Sequence, residues 1–297
     1  MLRVNNGYMI LKLSTLLCML SLFCHTVGSQ ELTKIRYPKV FVKSIYQNQL
    51  NYFAEVLKLA LDKSGLAYDL EFVDIPDLAQ TRSQWLIQQR YYDIHWLVSN
   101  SERESEMMPI RIPLYKGLLG LRIAFVNSTK KNLMENITGL DELKLLLVGQ
   151  GRDWMDSRLL NFHQFKLIEA STTSALFEML NINRIDYFPR SILEIDWESQ
   201  QPEASGLSVD QHIALYYPEA VYFFVRKDNI ELHDYVLKGL NTAISDGSFQ
   251  QIFDRYFGET VVRAQLDKRR IFQLANPFLP PQTPLEDKRL WHALTFE

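Results

Sequence analysis

Two stretches of the sequence echo one another, and together they restrict the fold more than anything else in it. From Tyr92 to Val126 the chain reads as a strand, Asp93 to Val98, then a polar loop through Ser99, Asn100, Ser101, Glu102 and Arg103, then Pro109 and Pro113 leading into the apolar run Leu118–Val126. Later, Leu215, Tyr216, Tyr217 and Pro218 lead into a second apolar strand, Ala220 to Val225. If the first run carries the chain out of one lobe and the second brings it back, the product is two lobes on a double hinge. A cleft between hinged lobes suits capture of a small molecule.

The flanking pattern alternates strands with helices, which predicts an α/β architecture with parallel strand pairs. Val40–Ile45 is β-rich, and Leu50, Phe53, Leu57, Ala60 and Leu61 recur at helical spacing up to Gly65. Tyr68, Leu70 and Phe72 alternate with Asp69 and Glu71 as a strand with one wet face, and Asp77–Arg90 reads as a helix. Past the first crossing, the apolar run Leu143–Val148 is closed by Gly149, Gln150 and Gly151, and a helix is expected from Asp153, whose carboxylate can cap it. A strand near Phe165–Ile168, a helix over Ser174–Leu180 and a strand at Ile185–Phe188, ended by Pro189, follow. After the return, Leu232, Val236, Leu240 and Ile244 fall one turn apart, and Phe249, Ile252, Phe253, Tyr256 and Phe257 form an apolar stripe stopped by Gly258. The tail carries the basic triplet Lys268, Arg269 and Arg270, read as a solvated face, and a proline cluster read as an extended surface arm docking Trp291. The expected division is 1–29 a signal peptide, 30–120 the first part of lobe one, 121–217 lobe two, 218–258 the return part of lobe one, and 259–297 a C-terminal extension.

With 47% hydrophobic and 23% charged residues, 297 residues suffice for two lobes, and a formal charge of -3 argues against a nucleic-acid partner. Arg3 and Lys12 precede the apolar run Leu13–Phe23 and the small residues Gly28 and Ser29, the three-part pattern of a cleavable export signal. Both cysteines, Cys18 and Cys24, fall inside it, so the mature chain is expected to have neither a disulfide nor a thiol catalyst, which fits a bacterial periplasm. The six histidines show no ligand spacing, and no nucleophile elbow or phosphate loop is present, so no metal or cofactor is expected and catalysis has no signature.

Binding has better candidates. Arg103, at the end of a strand beside Ser101, could fork onto a carboxylate or phosphate, or be a surface arginine paired with Glu102 or Glu106. Gly151, Arg152 and Asp153 lie where a loop enters a helix, and their backbone could face an anion or be a plain turn and cap. Trp96, Trp154, Tyr115 and Tyr217 could wall a cleft or be packing.

The order of motifs resembles the extracellular solute-binding proteins of family 3, the periplasmic amino-acid-binding class of ABC uptake systems. The residues that carry it are Asp93 with Ser101, Glu102, Arg103, Ile112 and Pro113, then Gly149–Gly151, then Arg184, Ile185 and Asp186, then Phe224 to Asn229, and finally Asp246, Gly247, Ile252, Tyr256, Phe257 and Gly258. The resemblance, spanning about Lys39 to Gly258, implies a type II periplasmic-binding fold with two hinge crossover strands, Arg103 as the group gripping an α-carboxylate, and a permease or sensor in the inner membrane as partner of a monomer. It also exposes departures. Ser191, with Arg190 beside it, stands where the family has an aspartate for the ligand ammonium, and the aromatic loop after the first strand is reduced to Tyr46, Gln47 and Asn48. With Arg103, Arg152 and Arg190 near one cleft, a small polar solute bearing a carboxylate is expected, Arg190 being otherwise a structural tie to Glu194. The alternatives are an enzyme on the same scaffold, a dehydratase-like lyase using Asp153 or Glu194, and an orphan sensory module.

Overall fold

The computed structural model describes residues 32–40, 46–75 and 80–294. The expected export signal, Cys18 and Cys24 lie outside them. The first lobe opens as β1 (Thr33–Val40), α1 (Tyr46–Ser64) and β2 (Tyr68–Ile75). The two strands pair in parallel, from Thr33 opposite Tyr68 to Val40 opposite Ile75, and α1 turns Tyr52, Phe53, Val56, Leu57, Ala60 and Leu61 into the core. The strand expected at Val40–Ile45 lies, beyond Val40, outside the described residues, and β1 runs up to it from Thr33. α2 (Gln80–Gln88) leads to β3 (Ile94–Val98), α3 (Ser101–Glu106) and β4 (Met107–Ile110). Asp93 holds this lobe together at its first strand: its main-chain N–H donates to the Arg36 carbonyl at 2.8 Å, and its carboxylate receives the Arg36 guanidinium at 3.0 and 3.1 Å.

The chain then crosses and builds β5 (Leu121–Asn127), α4 (Leu140–Leu145), β6 (Leu147–Gly151), α5 (Met155–Phe162), β7 (Lys166–Ala170), α6 (Thr173–Asn181), β8 (Phe188–Ser191), α7 (Ile192–Glu198), β9 (Leu207–Val209) and β10 (Ile213–Tyr216). β5 is the spine of this lobe. It pairs antiparallel with β8, β9 and β10, and all its residues are buried, Ile123 and Phe125 toward one apolar cluster and Ala124 and Val126 toward another. Crossing back, the chain forms β11 (Val221–Arg226), which slots antiparallel between β3 and β4 of the first lobe. Two passes thus join two lobes. They touch at Gly120, where a Cβ would stand 1.8 Å from the Tyr217 carbonyl oxygen; lacking one, Gly120 accepts the Tyr217 N–H at 3.1 Å.

α8 (Ile230–Ser245) packs on α1 at Gly239, where a Cβ would come within 1.8 Å of the Ala60 carbonyl, and α9 (Ser248–Ala264) follows. Gly258 does not stop α9. The helix runs on to Ala264 and ends where Gln265 turns left-handed at φ 47°. The run Leu143–Val148 divides: Asp141 and Glu142 complement the N-terminus of α4, which takes Leu143, and β6 starts only at Leu147. The strand expected at Ile185–Phe188 is displaced to Phe188–Ser191, with Pro189 inside it opposite Ala124. Asp153 caps nothing, since α5 starts at Met155 behind Trp154, which gives no side-chain cap.

The tail does more than lie on the surface. β12 (Arg270–Gln273) adds to lobe two in parallel beside β10. Arg269 is not solvated: buried, it donates to the carbonyls of Ala264 (2.7 Å), Asp210 (2.6 Å) and Ile213 (3.3 Å), tying the end of α9 to lobe two. Asn276 then bonds the Pro218 carbonyl in the return crossing at 2.9 Å, and Trp291 lies on Gly117 in the outward one.

Candidate ligand-binding site

The two lobes enclose a cavity of about 630 Å³. Lobe one contributes Trp96 and Val98 at the end of β3 and Gln49 of α1; the crossing segments contribute Tyr115, Leu119 and Glu219; lobe two contributes Arg122 of β5, Trp154 and Asp156 at the start of α5, Arg190 of β8, and Glu194, Trp197 and Glu198 of α7. Gln49 spans the gap, accepting from the Tyr115 hydroxyl at 2.9 Å and donating to the Leu193 carbonyl at 3.4 Å. Outside the cavity, Arg263 of α9 meets Asp196 of α7 at 2.7 Å. These two contacts bridge the lobes.

Two buried arginines organise the carboxylates around this space. Arg122, its side chain 4% exposed, lies 2.9 Å from Asp156, 3.1 Å from Glu219 and 3.6 Å from Glu194, and its Nε donates to the Tyr217 hydroxyl at 2.8 Å. The Tyr217 hydroxyl donates in turn to Asp156. Arg190 forks onto Glu198 at 2.6 and 2.8 Å, reaches Glu194 at 3.2 Å, and lays its guanidinium over the Trp154 ring at 4.8 Å. Burial works against both guanidinium charges, but the surrounding carboxylates more than offset it and raise both above the ordinary arginine range. Glu219 shows the opposite balance. Burial pushes its carboxyl up to about 7, against the pull of Arg122 and with the help of Asp156 and Glu194.

Of the residues singled out in the sequence, Trp96, Tyr115, Trp154 and Arg190 line the cavity together. Trp154 owes its place to Gly151, over whose backbone the indole lies so closely that a Cβ would sit 2.3 Å from the ring. Ser191 is buried beside the cavity as the N-cap of α7, accepting from the Leu193 N–H at 3.3 Å and donating to the Leu118 carbonyl at 3.3 Å. Arg152 and Asp153 are exposed and outside the cavity, as is Ser101. Tyr46 begins α1, but its side chain lies outside the described residues. Arg103 is buried and not part of the cavity wall: its guanidinium donates to the Val98 carbonyl, and its main-chain N–H is capped by Asn100 at 2.7 Å. Arg190 takes the structural tie to Glu194 and extends it to Glu198.

The expectation of a carboxylate-bearing solute rested on arginines free to hold it. In the structure the cavity's two arginines are paired with protein carboxylates, and Arg103 and Arg152 lie outside it. Sequence reasoning missed Arg122, Asp156, Glu198 and Glu219. Signals pointed to two of them: Arg122 is an arginine inside the otherwise apolar run Leu121–Val126, which burial obliges to find a partner, and Glu219 is a glutamate just ahead of the apolar return strand.

No protein-family model matches the sequence, and no curated protein does. Solved structures do match in shape. The probable amino-acid ABC transporter extracellular-binding protein ytmK from Bacillus subtilis aligns over 77% of this chain and 99% of its own, at 17% identity and a TM-score of 0.59. This chain has the two-lobed type II periplasmic-binding fold. The same fold aligns the VFT2 domain of BvgS from Bordetella pertussis, with 75% of this chain and 93% of that one covered at 19% identity and TM-score 0.51. An ancestral arginine-binding protein bound to arginine aligns over 75% of this chain and 98% of its own, at 17% identity and TM-score 0.50. These likenesses agree with the motif-level resemblance to family 3.

Proposed function

We propose that the protein is a non-enzymatic solute-binding protein of an extracytoplasmic compartment, closing its two lobes around one small polar solute and handing the bound state to an inner-membrane permease or sensor. The observation that carries this reading is the cavity itself: it is a partly open cleft of about 630 Å³, built from aromatic and charged side chains of both lobes. Ligand contacts made to both walls exist only in the closed form, so binding shifts the balance toward closure. The Bacillus subtilis structure of the same fold is described as an extracellular-binding protein of an ABC transporter, which supports the reading. The patterned residues 1–29 support export.

Thermal-shift screening of the purified protein against polar metabolites, followed by calorimetry, tests it. The expected outcome is at least one saturable ligand at one site per chain with no turnover. A broad screen without any such ligand, or a ligand that is chemically converted, overturns it.

A further inference from the structure

The cavity's charge is lopsided. Two arginines face five carboxylates in its wall, the fifth being the exposed Glu203 at its mouth, so the formal excess is three negative charges, and no lysine or histidine lines it. Both arginines are paired with protein carboxylates. A ligand carboxylate would add a further negative group to this wall, and drawing an arginine away from Glu194, Glu198 or Asp156 would leave that carboxylate buried without its cation. Glu219 has capacity to spare and is the most deeply buried of the carboxylates with an open oxygen. It is 8% exposed, its Oε2 is held by Arg122, and its Oε1 has no hydrogen bond to any described residue while the side chain lines the cavity. A buried carboxylate with an open acceptor, in a cavity also walled by Trp96, Trp154 and Trp197, offers what a desolvated cation needs: a charge partner and aromatic faces.

Resting on the solute-binding reading above, we propose that the cavity takes an organic cation that carries no carboxylate, an alkyl amine, diamine or amidine, with Glu219 as its charge anchor and the tryptophans as its walls. The cation supplies the donor that the free oxygen of Glu219 lacks and reduces the excess negative charge. It also lowers the affinity of Glu219 for a proton, so binding near pH 7 releases protons into solution.

Agmatine and L-arginine differ by one α-carboxylate and make the decisive pair, with putrescine and L-glutamate as further probes. In calorimetry at pH 7 agmatine or putrescine is expected to bind at least tenfold more tightly than L-arginine, and L-glutamate not at all. Titrations in buffers of different ionisation enthalpy are expected to show proton release. Glu219→Gln is expected to lose at least tenfold in affinity and to lose the proton release. Trp154→Ala, far less disruptive of charge, is expected to weaken the same ligand. Tighter binding of L-arginine or L-glutamate overturns the assignment of ligand class but leaves solute binding standing. Failure of both cations, with another metabolite bound, does the same. No binding by any compound overturns both readings.

Discussion

Individual residues here carry opposing charge requirements, and pH separates them. Glu219 in the folded protein holds its proton up to about pH 7, whereas an unfolded glutamate releases it near its ordinary value of 4.5. Between those values the folded state binds more protons, so this residue makes stability fall as pH rises through that window. His95 acts with the opposite sign. Sealed among Tyr37, Tyr92 and Trp96 and beside Arg103, it is held neutral by burial with its pKa pushed down to about 3, so the unfolded chain binds the extra proton below pH 6.5 and stability falls on acidification. Denaturant unfolding across pH 5 to pH 8 separates the two. In Glu219→Gln, which keeps a hydrogen-bonding group for Arg122 while Asp156 and Glu194 still balance its charge, the decline toward pH 7 is expected to flatten and the acid-side loss to persist. An unchanged slope in the variant would show that Glu219 does not titrate in this range.

At the scale of elements, close approaches between neighbours matter more than propensities. α1 and α8 pack so closely at Gly239 that Gly239→Ala is expected to cost about 1–3 kcal/mol in chemical denaturation, despite alanine being the better helix former. A neutral or stabilising result would mean that the two helices are not in contact there. This is also where the sequence was most and least legible. The spacing of Leu232, Val236, Leu240 and Ile244 defines the helix face, because period 3.6 is a local property; that Gly239 meets Ala60 depends on a contact between residues far apart in the chain. The out-and-back pattern around Leu118–Val126 and Ala220–Val225 was legible for the same local reason, as apolar strands preceded by proline. Boundaries fared worse where tertiary pairing decided them, as at Pro189, which the β5 ladder accommodates, and at Gly258, which α9 passes through. The cavity's walls were half legible. Trp96, Tyr115, Trp154 and Arg190 stood out by type and place, while Arg122 and Glu219 become a pair only once the two crossings lie side by side, and Arg103 turns inward to donate to the backbone carbonyl of Val98.

For the whole molecule, the question is what holds the lobes together. The pair Arg263–Asp196 is half exposed on the arginine side and worth little, on the order of 0.2–1 kcal/mol before solvent screening reduces it. The crossings themselves and the tail, which joins β12 in lobe two to Trp291 on Gly117, hold the lobes near one another without filling the space between them. On the proposed function, a solute contacting both walls is the chief source of differential stability for the closed form, and a modest affinity difference between states is enough to move the populations. Its grip must be shared. Isothermal titration of the same solute into Trp96→Ala, a change in lobe one, and Trp154→Ala, a change in lobe two, tests that sharing most directly. The account predicts that each substitution alone weakens binding at least tenfold with both variants folded; full affinity retained in either one would contradict a site built from both lobes.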